Sequence, residues 1–206
     1  MIAVTNRHTF DTFPDPETAF LTQIARVAGF TPKAIVLREK DLDEKSYTQL
    51  AEKVLRIGTS EDPESIPDPA RIASFLQSHL VIHKYPEAAI RLKVPRIHLS
   101  LADLLDLSTT SREMLSAFRE IGTSVHSPED ARLAAECGAT YLFAGNVWET
   151  TCKPGLEGKG LLYLREVAQS VSIPVYGIGG VSLERMPEVL AAGAAGGCMM
   201  SGFMTL

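Results

Sequence analysis

The chain has 206 residues, 45% hydrophobic, 22% charged and 7% aromatic, with a mean hydropathy of +0.06. That apolar fraction excludes a disordered chain and describes one globular domain, 1–206, able to bury a substantial core. Twenty Lys and Arg against 25 Asp and Glu leave a formal charge of −5, which with no basic run argues against a nucleic-acid partner.

Short β-branched runs predict strands over 2–6, 34–37, 80–83, 96–99, 123–126, 140–144, 175–178 and 194–199. Helical patterns lie between them. Leu133, Ala134 and Cys137 share one face of the stretch before the sixth strand, and Leu161, Leu164 and Val167 one face of the next. Ser127-Pro128-Glu129-Asp130 reads as a helix start, and Ser182-Leu183-Glu184-Arg185 as a weaker one. Gly122, Gly138 and Gly193 stand where glycine stops of helices are expected. Residues 58–70, acidic and rich in proline, read as an exposed loop before a further short helix.

Strict alternation of strand and helix implies parallel pairing with right-handed crossovers, and eight strands imply a (β/α)8 TIM barrel. No GxGxxG or GxxxxGK[ST] motif follows the first strand, so a dinucleotide or P-loop domain is disfavoured. The length is short of the roughly 250 residues typical of this fold. After the eighth strand only Ser201-Gly202-Phe203-Met204-Thr205-Leu206 remain, so the eighth helix is expected to be missing or truncated. The apolar face so uncovered predicts a homodimer or reduced stability. No apolar run nears about eighteen residues and no charged-then-apolar leader precedes Asp11, so no membrane partner is expected. Cys137, Cys152 and Cys198 form no CxxC pair, which suggests neither disulfides nor zinc and makes the cytoplasm the expected compartment.

In such a barrel, working groups lie at the C-terminal ends of the strands. Ile178-Gly179-Gly180-Val181 and Met200-Ser201-Gly202 carry glycines in the last two loops, which either bring backbone N–H groups to a phosphate or merely shape tight turns. His126 closes the fifth strand and is either a proton-transfer group or a structural histidine. The long polar loop from Gly145 to Gly160 offers Thr150, Thr151 and Lys153 to an anionic ligand. Cys152 in it, beside Lys153, is either an activated thiol or, as favoured with no histidine near it in sequence, an inert one. Arg38 and Lys40 lie on one side of the chain after the second strand, as anion-binding cations or as a solvated run. His8, His79 and His98 lack ligand spacing and read as structural, and Asp103 has no second carboxylate beside it, so no metal is expected.

Three segments carry a resemblance: Ser124-Val125-His126-Ser127, the loop from Glu149-Thr150-Thr151-Cys152-Lys153 through Gly155-Leu156-Glu157-Gly158-Lys159-Gly160, and Ile173-Pro174-Val175-Tyr176-Gly177-Ile178-Gly179-Gly180. Together they resemble the thiamin phosphate synthase superfamily, and within it the thiazole tautomerase (TenI-like) branch. That resemblance implies an isomerase of thiamin biosynthesis, free of cofactors and metal. Its substrate would be a small phosphorylated thiazole, 2-carboxy-4-methylthiazol-5(2H)-ylidene ethyl phosphate, converted to the aromatic carboxythiazole phosphate. His126 would transfer the proton, Arg38 and Lys40 would hold the carboxylate or orient the ring, and Gly179, Gly180, Ser201 and Gly202 would receive the phosphate.

The sibling activity, Mg2+-dependent coupling of a pyrimidine diphosphate to the thiazole phosphate, is the alternative. Against it, Val36 stands where that pattern has Gln, His83-Lys84 where it has Asn-Asp, and Glu149-Thr150-Thr151-Cys152-Lys153 where it has Pro-Thr-x-Thr-Lys; only Asp103 remains of its metal pair. His83-Lys84 also departs from the Asn of the tautomerase branch. A third reading is a catalytically silent barrel that binds a phosphorylated ligand as a regulator.

Overall fold

The computed structural model describes residues 1–59, 68–150, 155 and 157–206. Its strands are β1 (Ile2–Val4), β2 (Ala34–Leu37), β3 (Leu80–His83), β4 (Arg96–Leu99), β5 (Glu120–Val125), β6 (Tyr141–Gly145), β7 (Val175–Ile178) and β8 (Gly196–Met199). Its α-helices are α1 (Pro16–Gly29), α2 (Glu44–Arg56), α3 (Pro69–His79), α4 (Pro86–Arg91), α5 (Leu101–Thr110), α6 (Arg112–Ser116), α7 (Pro128–Glu136), α8 (Gly160–Gln169), α9 (Met186–Ala191) and α10 (Ser201–Met204). The eight strands close into a barrel in chain order, the α/β TIM-barrel architecture that the strand–helix alternation predicts.

Two compact units make up the chain. In the unit of residues 2–94 and 200–206, β1, β2 and β3 pair in parallel, with Ile2 opposite Ala34 and Ile35 opposite Leu80. Every strand residue here is buried, as expected of parallel strands covered on both faces. Asp15 and Asp43 cap α1 and α2 by accepting from Thr18 N and Ser46 N, and Pro16 takes the first helical position. The proline-rich stretch keeps only its flanks in view: α3 starts at Pro69, capped by Asp68, and residues 60–67 of the expected loop lie outside the described residues. After β8 comes the short helix α10. It seats Phe203 and Met204 in the core, and Gln23 Nε2 of α1 donates to Phe203 O at 2.7 Å.

In the unit of residues 95–199, β4 to β8 pair in parallel. Strand alternation sorts their residues into two faces. One carries Ile97, Leu99, Ile121, Val125, Leu142 and Val175; the other carries Arg96, His98, Ser124, Tyr141, Phe143 and Tyr176. The rings on the second face pack together, with Tyr141 5.5 Å from Phe143 and 6.3 Å from Tyr176.

Three local expectations change here. β5 begins three residues earlier than its β-branched core suggests, so Gly122 is not a helix stop but a strand residue opposite Tyr141. A Cβ there would fall 2.0 Å from Tyr141 Cζ, so the bare glycine makes room for the phenol. On α7 the buried residues are Ala131 and Ala134, while Leu133 is exposed. The start read at Ser182 is a turn in which Ser182 Oγ accepts from Arg185 N, and α9 begins at Met186. Gly138 and Gly193, both left-handed, do follow α7 and α9 as stops.

Candidate active site

His126 is the first residue beyond the C-terminal end of β5. The helix start after it also fixes its backbone. Ser127 Oγ accepts from Asp130 N at 3.0 Å, Pro128 opens α7, and the Asp130 carboxylate reaches back to accept from His126 N at 2.9 Å. The imidazole Nδ1 lies 2.8 Å from Gly145 O, at the end of β6. A carbonyl oxygen can only accept, so Nδ1 carries a proton, and in the neutral ring Nε2 then presents the lone pair. The ring belongs to an exposed residue, open to a ligand.

Two residues of the α8 start hold this arrangement, and sequence reasoning assigned neither of them a role. Tyr163 hydroxyl donates to Val125 O at 3.0 Å, with a longer contact of 3.4 Å to Gly145 O. Burial, then the nearby Asp130 charge, pushes this phenol up to about 12, so it remains a protonated donor at neutral pH. Lys159 Nζ donates to His126 O at 2.6 Å and sits 4.8 Å from the centre of the Tyr163 ring. The signal for Tyr163 was available: it shares the buried face of α8 with Leu164 and Val167, and a buried tyrosine needs a partner for its hydroxyl.

The glycine pair lies beyond β7. Gly179 and Gly180 are left-handed, with φ of +94° and +65°. Side chains would also collide there: a Cβ at Gly179 would lie 2.6 Å from Asn146 Cβ, and one at Gly180 2.6 Å from Trp148 Cβ. Their carbonyls are engaged, Gly179 O by Trp148 N at 3.0 Å and Gly180 O by Arg185 Nη1 at 2.7 Å. The Arg185 guanidinium lies over the Trp148 ring at 4.9 Å. The N–H groups of Gly179 and Gly180 donate to nothing among the described residues, so the turn offers adjacent donors of the kind that bind anions. Arg185 and Trp148 brace this turn, a role that the sequence pattern assigns to neither.

The other expected site residues fall as follows. Arg38 and Lys40 follow β2 in the unit of residues 2–94 and 200–206; Arg38 is half-buried and Lys40 exposed, while Glu39 between them turns inward and is 2% exposed. Arg38 N donates to Thr5 Oγ1 at 2.9 Å. Ser201 and Gly202 open α10 in that same unit. Thr150 is half-buried in the other. Thr151, Cys152 and Lys153 lie outside the described residues. His79 has a structural partner, Phe75 O, 3.1 Å from its Nδ1. His98 is buried, with Nε2 3.0 Å from Ser124 Oγ and Nδ1 3.3 Å from Tyr141 hydroxyl.

Among the described residues, the positions after β3 and β4 do not fit a magnesium site. The Asp103 carboxylate accepts from Ser100 hydroxyl at 2.6 Å in the cap of α5, and Lys84 after β3 is a cation whose Nζ donates to Tyr85 hydroxyl at 3.1 Å. Among the described residues no group of three or more His, Cys, Asp or Glu side chains could hold a metal ion.

Parallel strands closed into a barrel, with a histidine and a left-handed glycine pair at strand C-terminal ends, define a (β/α)8-barrel protein of the kind that carries enzyme sites. The chain belongs to the TMP-TENI family, described as thiamine monophosphate synthase, whose model matches residues 1–203. It is 30% identical over 179 residues to a thiamine-phosphate synthase of Clostridium acetobutylicum, covering 82% of this chain and 83% of that one. It is 32% identical over 178 residues to the enzyme of that name from Thermus thermophilus, covering 85% and 77%. Among solved structures, thiamine phosphate pyrophosphorylase from Pyrococcus furiosus superposes with a TM-score of 0.73 at 21% identity, over 100% of this chain and 87% of that chain. These findings place the chain in an enzyme family of thiamin biosynthesis, and the relatives' names match the coupling activity rather than the tautomerase. No helix among the described residues is long and apolar enough to cross a membrane.

Proposed function

We propose that this member of the family is the thiazole tautomerase. The observation that carries the reading is the His126 ring, whose Nδ1 is committed to Gly145 O and whose Nε2 is left as the base. The reaction asks for little more. His126 takes the proton from C2, beside the substrate carboxylate. The electrons of that C–H bond form C2=N3, the ring double bond moves to C4=C5, and the exocyclic carbon takes up a proton as the ring becomes aromatic. Aromaticity supplies the driving force, so one well-placed base suffices. The adjacent N–H groups of Gly179 and Gly180 are proposed to receive the phosphate. On the resemblance, Ser201 and Gly202 join in that role, and Arg38, Lys40, Thr150, Thr151 and Lys153 contact the substrate.

The second reading is thiamin phosphate synthase, favoured by the names of the relatives. It requires a metal to carry the leaving pyrophosphate, and the cation Lys84 after β3, where that pattern has Asp, speaks against it.

The purified protein is expected to speed aromatisation of the exocyclic thiazole in the presence of EDTA. His126→Asn should abolish turnover and leave inorganic phosphate binding intact. Equal slow aromatisation by wild type and variant overturns the enzyme reading in favour of a silent ligand-binding barrel. Mg2+-dependent pyrophosphate release from a pyrimidine diphosphate and thiazole phosphate decides for the synthase.

A further inference from the structure

Deprotonation at C2 builds negative charge one bond from a carboxylate that is already charged. A cation on that carboxylate, next to the base, lowers the barrier more than one placed elsewhere on the ligand. In the unit that carries His126, several cations are engaged elsewhere. Arg96 and Arg119 pair with Glu120, Arg132 with Glu129, and Arg185 braces the Gly180 turn. Lys159 is different. Its ammonium is held against the carbonyl of His126 itself, on an exposed residue, and the Tyr163 ring fixes it from one side. An ammonium has three donors, so one spent on His126 O leaves two for a ligand.

We propose that Lys159 is the residue that binds the substrate carboxylate beside His126, and so selects a carboxylated thiazole phosphate over its decarboxylated counterpart. This rests on the tautomerase reading and gives to Lys159 the part that the resemblance gives to Arg38 and Lys40. The anchor on His126 O brings the carboxylate to the residue whose imidazole must reach C2. Binding energy on the carboxylate then orients the C–H bond toward the base.

The test is calorimetric and needs no turnover. Two ligands are compared, the aromatic carboxythiazole phosphate and the same phosphate without its carboxylate, on wild type, Lys159→Gln and Lys159→Arg. Glutamine keeps an N–H for His126 O and removes the charge, so it separates the carboxylate contact from the structural tie; a thermal melt checks that each variant is folded. Wild type should bind the carboxylated ligand at least tenfold more tightly, Lys159→Arg should keep that preference, and Lys159→Gln should lose it without weakening the decarboxylated ligand. A preference retained in Lys159→Gln overturns the assignment, as does a wild type that binds both ligands equally. A wild type that binds neither ligand overturns the functional reading itself.

Discussion

Replacing Gly122 with alanine probes the packing of the strand face that carries His98, Ser124 and Tyr141. The added Cβ would lie 2.0 Å from Tyr141 Cζ, 2.3 Å from its hydroxyl oxygen and 2.4 Å from Cε2. No methyl group fits at those distances, so the ring must swing away. Tyr141 is 7% exposed and is packed against Phe143, Tyr176 and His98, so its displacement disturbs all three. Overpacking of this kind costs about 1–3 kcal/mol. Loss of the hydroxyl contact with His98 Nδ1 leaves a buried phenol without that partner, for about 1–3 kcal/mol more. The smaller entropy of the unfolded alanine chain returns about 0.4–1 kcal/mol. The net expectation is a loss of about 3 kcal/mol, or a fall in Tm on the order of 6–12 °C for a chain of this size. Urea unfolding of wild type, Gly122→Ala and Gly138→Ala measures it. Gly138 is left-handed with nothing within 4 Å of its Cβ position, so its substitution reports backbone strain alone. A Gly122→Ala cost below about 1 kcal/mol would refute the close-approach argument.

Glu39 gives a pH dependence of definite sign. Burial raises its carboxyl above the ordinary value, outweighing the hydrogen bonds from Thr5 and Arg7 N. The folded state therefore holds that proton more tightly than the unfolded chain does. This contribution is fully present below the unfolded pKa and is lost as pH rises through the raised folded value. Relative to Glu39→Gln, wild type should lose urea midpoint as pH rises above the ordinary carboxylate range; a flat difference refutes the assignment. Tyr163→Phe removes the donor to Val125 O and should lower kcat more than it changes KM. In 15N NMR the His126 ring should then show a mixture of tautomers in place of Nδ1–H alone; an unchanged spectrum and rate would show that the phenol does not position the base. Ser127→Ala removes the cap of α7 and should cost about 1 kcal/mol in urea unfolding. A homodimer or reduced stability is the expected solution behaviour; a monomeric mass by light scattering together with a high Tm counts against it.

Local chemistry was legible where one stretch of chain decides the outcome. The β-branched runs at 34–37 and 80–83 become β2 and β3 with unchanged ends, and Ser127-Pro128-Glu129-Asp130 caps α7 as read. Alternation of such elements was enough for the barrel, because parallel strands need a helix to cross between them. His126 was legible as a strand-end histidine. Its tautomer was not, because the group that sets it, Gly145 O, lies on the next strand. Gly122 reads as a helix stop until the register with β6 brings Tyr141 over it. Lys159 reads as one more charge in a loop until the fold folds it back onto His126 O. What the sequence determines by itself is set by propensity and capping within a few residues. What only the tertiary structure decides is which backbone carbonyl or ring lies opposite a given side chain across strands, and the protonation and strain of the site follow from that.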